Sequence, residues 1–355
     1  MTSFLVDVDQ QFGIMVKICN IDDLNNNKNE IYPNLTCWIR GIAMPQRLVY
    51  FNGEFIPESE ARISIFDCAV MFGDMVFEMT RSFNQEPYRL RQHLDRLYGS
   101  MRYVEIDCGL TIDQMEDVTH QTIQANLPAL DNLDFQIMHD VTRGGLSLYE
   151  NIIREGTAPI VSINIFPLVR HIGSLASQYQ TGSHFVVTPQ QSVPSRYIDP
   201  KAKNRSRIFY KIADLQANRM EEGAMALLTD EHGFITEGTG NNFFMVRDGE
   251  VFTPKPHNIL RGVSRQACLE LLVKENIPVH QANIEPYDVR SADEAWWSST
   301  TICMMPVTQF NFQPVGDGKP GPVYHRIIEA WSAEVGINIS AQAERYAELA
   351  KTWVP

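Results

Sequence analysis

Residues 47–56 read RLVYFNGEFI, two short β-rich runs on either side of Asn52-Gly53. That dipeptide is the strongest short hairpin signal, because both central positions of the tight turn need positive φ. The same texture continues downstream. Val76 to Phe83 is a strand candidate closed by a turn at Asn84 to Pro87, after which Leu90, Leu94, Leu97, Met101 and Val104 recur at helical spacing. Thr111 is expected to cap a second helix running to about Asn126 and stopped by Pro128. Phe135 to Val141 and Pro159 to Phe166 read as strands, and residues 168–183 as a polar connector.

The pattern then restarts. A strand at His184 to Thr188 leads into a loop with Pro189, Pro194 and Pro200, and a helix is expected from about Arg205 to Glu222 on the stripe Ile208, Ile212, Leu215. Met225 to Thr229, Gly233 to Glu237 and Asn242 to Val246 are strand-like, with a second hairpin turn at Asp248-Gly249. Ser264 is placed as the cap of a helix through about Lys274, and Val323 to Glu334 is the last clear helix. Hairpins mixed with helices in both halves give an α+β class. The expected organisation is an N-terminal extension over 1–46 with the polar run Asn25, Asn26, Asn27 and Lys28, an α+β domain over 47–170, a connector over 171–183 and a C-terminal domain over 184–355.

Composition bounds the function. A chain of 355 residues, 44% apolar and 21% charged, buries a sizeable core and is not a disordered or fibrous protein. Its net charge of −13 weighs against nucleic-acid or membrane-surface binding. Six cysteines, Cys19, Cys37, Cys68, Cys108, Cys268 and Cys303, form no Cys-x-x-Cys pair, which suits reduced thiols. With no secretion signal and no apolar run of membrane-spanning length, the expected location is cytoplasmic. Asn34-Leu35-Thr36 and Asn338-Ile339-Ser340 match a glycosylation pattern and are taken as chance. The nine histidines are scattered without ligand spacing, so no metal site is expected.

Three polar segments carry the chemistry. Asp199-Pro200-Lys201-Ala202-Lys203-Asn204-Arg205-Ser206-Arg207 crowds cations ahead of a helix, against its dipole. The plain reading is a solvated basic helix start. A lysine held among cations and partly desolvated would instead have a lowered pKa, as an amine attacking an aldehyde needs. Thr236-Glu237-Gly238-Thr239-Gly240-Asn241 puts a carboxylate before two glycines, either an ordinary turn or an acid bent to face a ring nitrogen. Arg261-Gly262-Val263-Ser264-Arg265 opens a helix, where free N–H groups favour an anion, and Ser298-Ser299-Thr300-Thr301 adds hydroxyls. A lysine for an imine, a carboxylate for a pyridinium and a phosphate cup are together the parts of a pyridoxal phosphate site.

At these residues the chain resembles the class IV aminotransferases, pyridoxal-phosphate enzymes of fold type IV. That family includes branched-chain and D-amino-acid aminotransferases, (R)-selective amine transaminases and aminodeoxychorismate lyases. The likeness runs from about Val49 to Gln309. It adds Ala61 to Asp67, Phe72-Gly73-Asp74 with Val76-Phe77-Glu78, His93 to Leu97 and Val141 to Gly144 to the three segments above. The resemblance implies a two-domain fold with pyridoxal 5'-phosphate between the domains, and a homodimer. It makes Lys203 the Schiff-base lysine and proton carrier, with Lys201 as rival. Glu237 would hold the pyridine nitrogen protonated. Arg96, the backbone N–H groups of Val263 and Ser264, and Thr300 would hold the phosphate. Arg81, Arg143 and Thr301 are the implied substrate contacts. Glu78 faces the pocket without a role. Arg207 stands where branched-chain enzymes carry an aromatic, and Cys68, Ala69, Met75 and Met79 also depart from their pattern. The implied reaction is ping-pong amino transfer between an amino acid, L or D, or a primary amine and a 2-oxo acid. A lyase releasing pyruvate and a silent cofactor-binding relative are the alternatives.

Overall fold

The computed structural model describes residues 46–153 and 156–353. The expected extension over 1–46 lies almost wholly outside the described residues, as do Cys19, Cys37 and Asn34-Leu35-Thr36. The opening hairpin forms β1 (Leu48–Phe51) and β2 (Glu54–Pro57), with Asn52 at φ 49° and Gly53 at φ 96°. Its partners are β3 (Met75–Phe83), β4 (Glu86–Pro87), β5 (Phe135–Thr142) and β6 (Ile160–Pro167), in the order β2-β1-β6-β5-β3-β4, antiparallel throughout. After a short α1 (Cys68–Phe72), helices α2 (Leu90–Val104) and α3 (Ile112–Leu130) cover one face of this sheet. The predicted stripe is the buried one: Leu90, Leu94, Leu97 and Met101 pack with Val76, Ile137, Val141, Ile163 and Ile165. A leucine fully buried this way contributes about 1.5–3 kcal/mol.

Helix α3 continues through Pro128 to Leu130 rather than stopping at Asn126. Proline removes only the N–H aimed at Gln124, and both residues face solvent, while Leu130 is fully buried and anchors the last turn. Residues 168–183 are more than a polar link. They form α4 (Val169–Gly173) and α5 (Gln178–Thr181), and bury Leu168, Val169, Ile172 and Tyr179.

The second sheet runs β12-β11-β10-β13-β14-β7-β8-β9. Its strands are β7 (Ser183–Val187), β8 (Met225–Thr229), β9 (Ile235–Gly238), β10 (Asn242–Arg247), β11 (Glu250–Pro254), β12 (Val279–Ala282), β13 (Glu294–Ser299) and β14 (Cys303–Phe310), with β15 (Gln313–Pro314) paired to β14. Strand β9 also bridges back to β10 at Glu237 and Asn242, so six strands close into a ring with Glu237 at the closure. Around it lie α6 (Ile208–Met220), α7 (Val263–Lys274), α8 (Pro286–Arg290), α9 (Pro322–Val335) and α10 (Ile339–Ala350).

Three details differ from the sequence reading. Gly262, not Ser264, is the N-cap of α7, and no side chain caps that end. Helix α10 follows the expected last helix, capped by Asn338, whose side chain accepts from the Ala341 N–H. On α6 the residues packed inward are Ala213 and Ala217, while Ile208, Ile212 and Leu215 point outward.

Candidate active site

Lys203 is held by its backbone against the first sheet and its helix α2. Its N–H donates to Ser100 Oγ on α2 at 3.0 Å, and its carbonyl accepts from the Phe77 N–H of β3 at 3.0 Å. Val76 and Asn204 pair as an isolated bridge, and Arg205 N–H donates to the Met75 carbonyl. The segment is thus annexed to β3, and the Lys203 side chain projects into a cavity that Arg96 and Glu237 also line. Its ammonium sits 4.5 Å from the Phe77 ring centroid. What exposure the side chain keeps is exposure to this cavity. Burial, then the Arg96 charge, lowers its pKa to about 7. The rival Lys201 is engaged elsewhere, 2.7 Å from Asp199 Oδ1 and donating to the His257 carbonyl.

Glu237 lines the same cavity. Its Oε1 accepts from the Tyr210 hydroxyl at 2.7 Å, and its Oε2 accepts from Asn242 Nδ2 at 3.1 Å and the Leu260 N–H at 2.9 Å. These three donors orient the carboxyl, but burial outweighs them and raises its pKa to about 7. A protonated partner for Glu237, such as a ring N–H⁺, would relieve that cost.

Arg96 enters from α2. Its Nε and Nη2 grip both oxygens of Glu78 at 2.8 and 2.7 Å, and Nη1 donates to the Arg261 carbonyl at 3.0 Å. His93 Nδ1 lies 3.0 Å from Glu78 Oε1. Burial alone would push the Glu78 acid up, yet Arg96 and His93 hold it well below the ordinary carboxylate value. Arg96 therefore reaches the cavity edge as a fixed cation. Beside it the cavity meets the uncapped start of α7, with Val263, Ser264 and, from the turn after β13, Thr300. Gly262 is required there, since a Cβ would lie 2.2 Å from Asn242 Oδ1.

Comparison with known proteins gives this geometry a lineage. The family model for amino-transferase class IV matches residues 75–310. The chain belongs to the class IV aminotransferases. A putative branched-chain-amino-acid aminotransferase of Methanocaldococcus jannaschii is 30% identical over 283 residues, covering 79% of this chain and 94% of the relative. A D-alanine aminotransferase of Staphylococcus haemolyticus is 24% identical over 80% of this chain and 96% of its own length. Among solved structures, the branched-chain amino acid aminotransferase of Escherichia coli superposes with TM-score 0.72 at 26% identity, covering 82% of this chain and 94% of that one. The branched-chain amino acid aminotransferase of Thermobaculum terrenum, in its PLP form, gives TM-score 0.71 at 21% identity, over 86% and 97%. This class IV aminotransferase has the type IV fold and depends on pyridoxal phosphate. It moves an amino group between an amino donor and a 2-oxo acid by a ping-pong route through a lysine Schiff base.

The cavity of this class IV aminotransferase suits that cofactor on its own evidence. It holds an amine with no hydrogen-bond partner among the described residues, a carboxyl burdened by burial, an uncapped helix start beside an arginine, and a buried Ser298 Oγ without a partner. Lys203, Glu237, Arg96, Val263, Ser264 and Thr300 all line it.

Arg81, Arg143 and Thr301 do not. Arg81 is fully buried, donating to the Thr301 carbonyl at 2.8 Å and Gln342 Oε1 at 2.6 Å. Arg143 pairs with Asp74 and donates to the carbonyls of Val104 and Glu105. Thr301 Oγ1 is bonded to the Gln136 amide. Sequence reasoning missed Tyr210 and Asn242, which orient Glu237, and assigned Glu78 no role. An alternation signal was available for Glu78, since it shares the α2-facing side of β3 with Val76.

Proposed function

We propose that the cavity around Lys203 is where this aminotransferase binds its cofactor and turns over, with Lys203 as the covalent lysine. The observation that carries the reading is the contrast between two lysines two residues apart. Lys203 faces the cavity as an amine lowered to about 7, while Lys201 is tied to Asp199. Near neutral pH such an amine is part nucleophile, part acid, so it can also accept and return a proton at the substrate carbon. Bound pyridoxal phosphate supplies the electron sink. Glu237, kept in place by Tyr210, Asn242 and the Leu260 N–H, would hold the cofactor's ring nitrogen protonated. Arg96, the first N–H groups of α7 and Thr300 would hold its phosphate, where guanidinium and helix dipole act together. The test is spectroscopic. The purified protein should show a visible cofactor band that Lys203→Ala abolishes and Lys201→Ala keeps, and an amino donor should bleach it as the 2-oxo acid appears. A band surviving Lys203→Ala refutes the assignment.

The same proposal includes a homodimer. Ile65, Val70, Phe72, Leu148 and Ile208 are exposed. The segments that carry them are neighbours, since Ser206 Oγ donates to the Phe72 carbonyl and the Phe66 and Tyr149 rings lie 5.0 Å apart. An apolar face of this kind is suited to a second copy of the chain. Phe72→Glu with Ile208→Glu should convert a sedimenting dimer to monomer. A cytoplasmic location completes the proposal, supported by Cys68, Cys108, Cys268 and Cys303, which form no disulfide among the described residues, and cell fractionation tests it.

A further inference from the structure

The cations around the cavity are not equally provided for. Arg96 has Glu78, Arg205 has Asp140 at 3.1 Å, and Lys201 has Asp199. Arg207, which lines the cavity at the start of α6, has no such partner among the described residues. Its hydrogen bond runs from Nη2 to the Thr239 carbonyl, leaving Nε and Nη1 undirected. Its guanidinium lies 4.8 Å from the Tyr210 ring centroid and 5.5 Å from that of Phe77. The acids near it are committed: Glu237 to Tyr210, Asn242 and the Leu260 N–H, and Asp214 to the Thr239 hydroxyl. Its place at a helix start sets it against the dipole. Gly240 keeps the approach open, since even a Cβ there would stand 3.8 Å from Nη2.

We propose that Arg207 anchors the carboxylate of the substrate, so that this site is built for amino acids and 2-oxo acids rather than for amines without an acid group. The inference rests on the cavity being the transaminating site and names its substrate class. A carboxylate matches the two undirected N–H positions of a guanidinium, and its charge supplies the counter-ion the protein omits. With Arg96 and the α7 start given to the phosphate, Arg207 is the cation of the cavity left for the substrate. Val193, Ile198 and Phe209 in the same lining offer apolar surface to the substrate side chain.

The experiment uses holoenzyme and two unreactive probes of one shape, 4-methylvalerate and its primary amide. Binding is followed by calorimetry and by perturbation of the cofactor band. Arg207→Gln should weaken the acid at least tenfold and leave the amide unchanged, and Arg207→Lys should recover part of the loss. Equal weakening of acid and amide would mean a packing role and overturn the proposal, as would unchanged acid affinity. A shifted pH midpoint of the ligand-free band with unchanged acid affinity would instead place Arg207 on the cofactor's phenolic oxygen. Lys203→Ala is run in parallel. A band that survives it defeats the site reading and this inference with it, whereas a band lost there beside flat acid affinity defeats the inference alone.

Discussion

Lys203 offers the most direct quantitative test. An ordinary lysine amine titrates at 10.5, and here burial, followed by the Arg96 charge, brings it to about 7. At pH 7 about half of it is then neutral, against about one part in 3,000 for an exposed lysine, a gain in reactive amine of about a thousandfold. The measurement is competitive labelling of cofactor-free protein with trace dinitrofluorobenzene between pH 5 and 11, read by mass spectrometry on the peptide carrying Lys203. Half-maximal labelling is expected near pH 7. Arg96→Gln should move the midpoint upward, since it removes a cation and leaves the Glu78 charge uncompensated, and both changes favour the ammonium. Stability gives a second readout. The unfolded chain keeps this proton to about pH 10.4, so folding expels it between there and 7, and the residue's contribution rises with pH across that window. Lys203→Met should therefore stabilise the cofactor-free protein at pH 7, by a ceiling of about 4 kcal/mol that cavity water lowers, and the advantage should shrink steadily with rising pH and vanish only above about pH 10.4. A labelling midpoint above pH 9, or one indifferent to Arg96, would refute the account of the site's electrostatics.

Three further outcomes follow from particular contacts. Glu78→Gln leaves Arg96 without its buried partner and should cost about 3–5 kcal/mol in denaturant unfolding. Because the Glu78 carboxyl is held down when folded, its contribution is present above the ordinary carboxylate range and lost as pH falls below about 4.5, so the variant's thermal melts should show a shallower acid limb. Tyr210→Phe removes a hydrogen bond to a carboxylate, about 1.5–3 kcal/mol, and should lower kcat about tenfold to a hundredfold while the cofactor band persists. Gly262→Ala drives a methyl into Asn242 Oδ1 and displaces the amide that joins Glu237 to Leu260, so the cofactor's dissociation constant, measured by equilibrium dialysis, should rise at least tenfold.

Much of the fold was legible because it is written locally. Asn52-Gly53 and Asp248-Gly249 adopt the positive φ values their turns need, and the stripe from Leu90 to Met101 is buried as its spacing implies, with Val104 half-buried at its end. The misses have non-local causes. Pro128 is tolerated because its bare side faces water, and Leu130 is worth keeping helical because the sheet waits beneath it. Residues 168–183 look polar as text, yet Gly173 packs so tightly on the Tyr346 backbone that a Cβ would lie 2.8 Å away, a contact made with the helix at the far end of the chain.

The short motifs named six residues that line the cavity, but not the groups that neutralise or orient them, and α6 shows why. At about 100° per residue, Ile208, Ile212 and Leu215 fall on one side of that helix, with Tyr210, Ala213 and Ala217 about 180° away. Periodicity fixes this separation and says nothing of absolute rotation. Bulk alone would turn the isoleucines inward. The structure does the opposite, because Ala213 and Ala217 let α6 lie close against β7 and β8, and Tyr210 reaches Glu237 from the same side. A helix that buries its alanines and exposes its isoleucines is inverted for a monomer. The inversion is explained if one face of α6 completes the cofactor site while the other is buried against a second chain, so charging Ile208 should break the dimer before it disturbs the Tyr210–Glu237 bond.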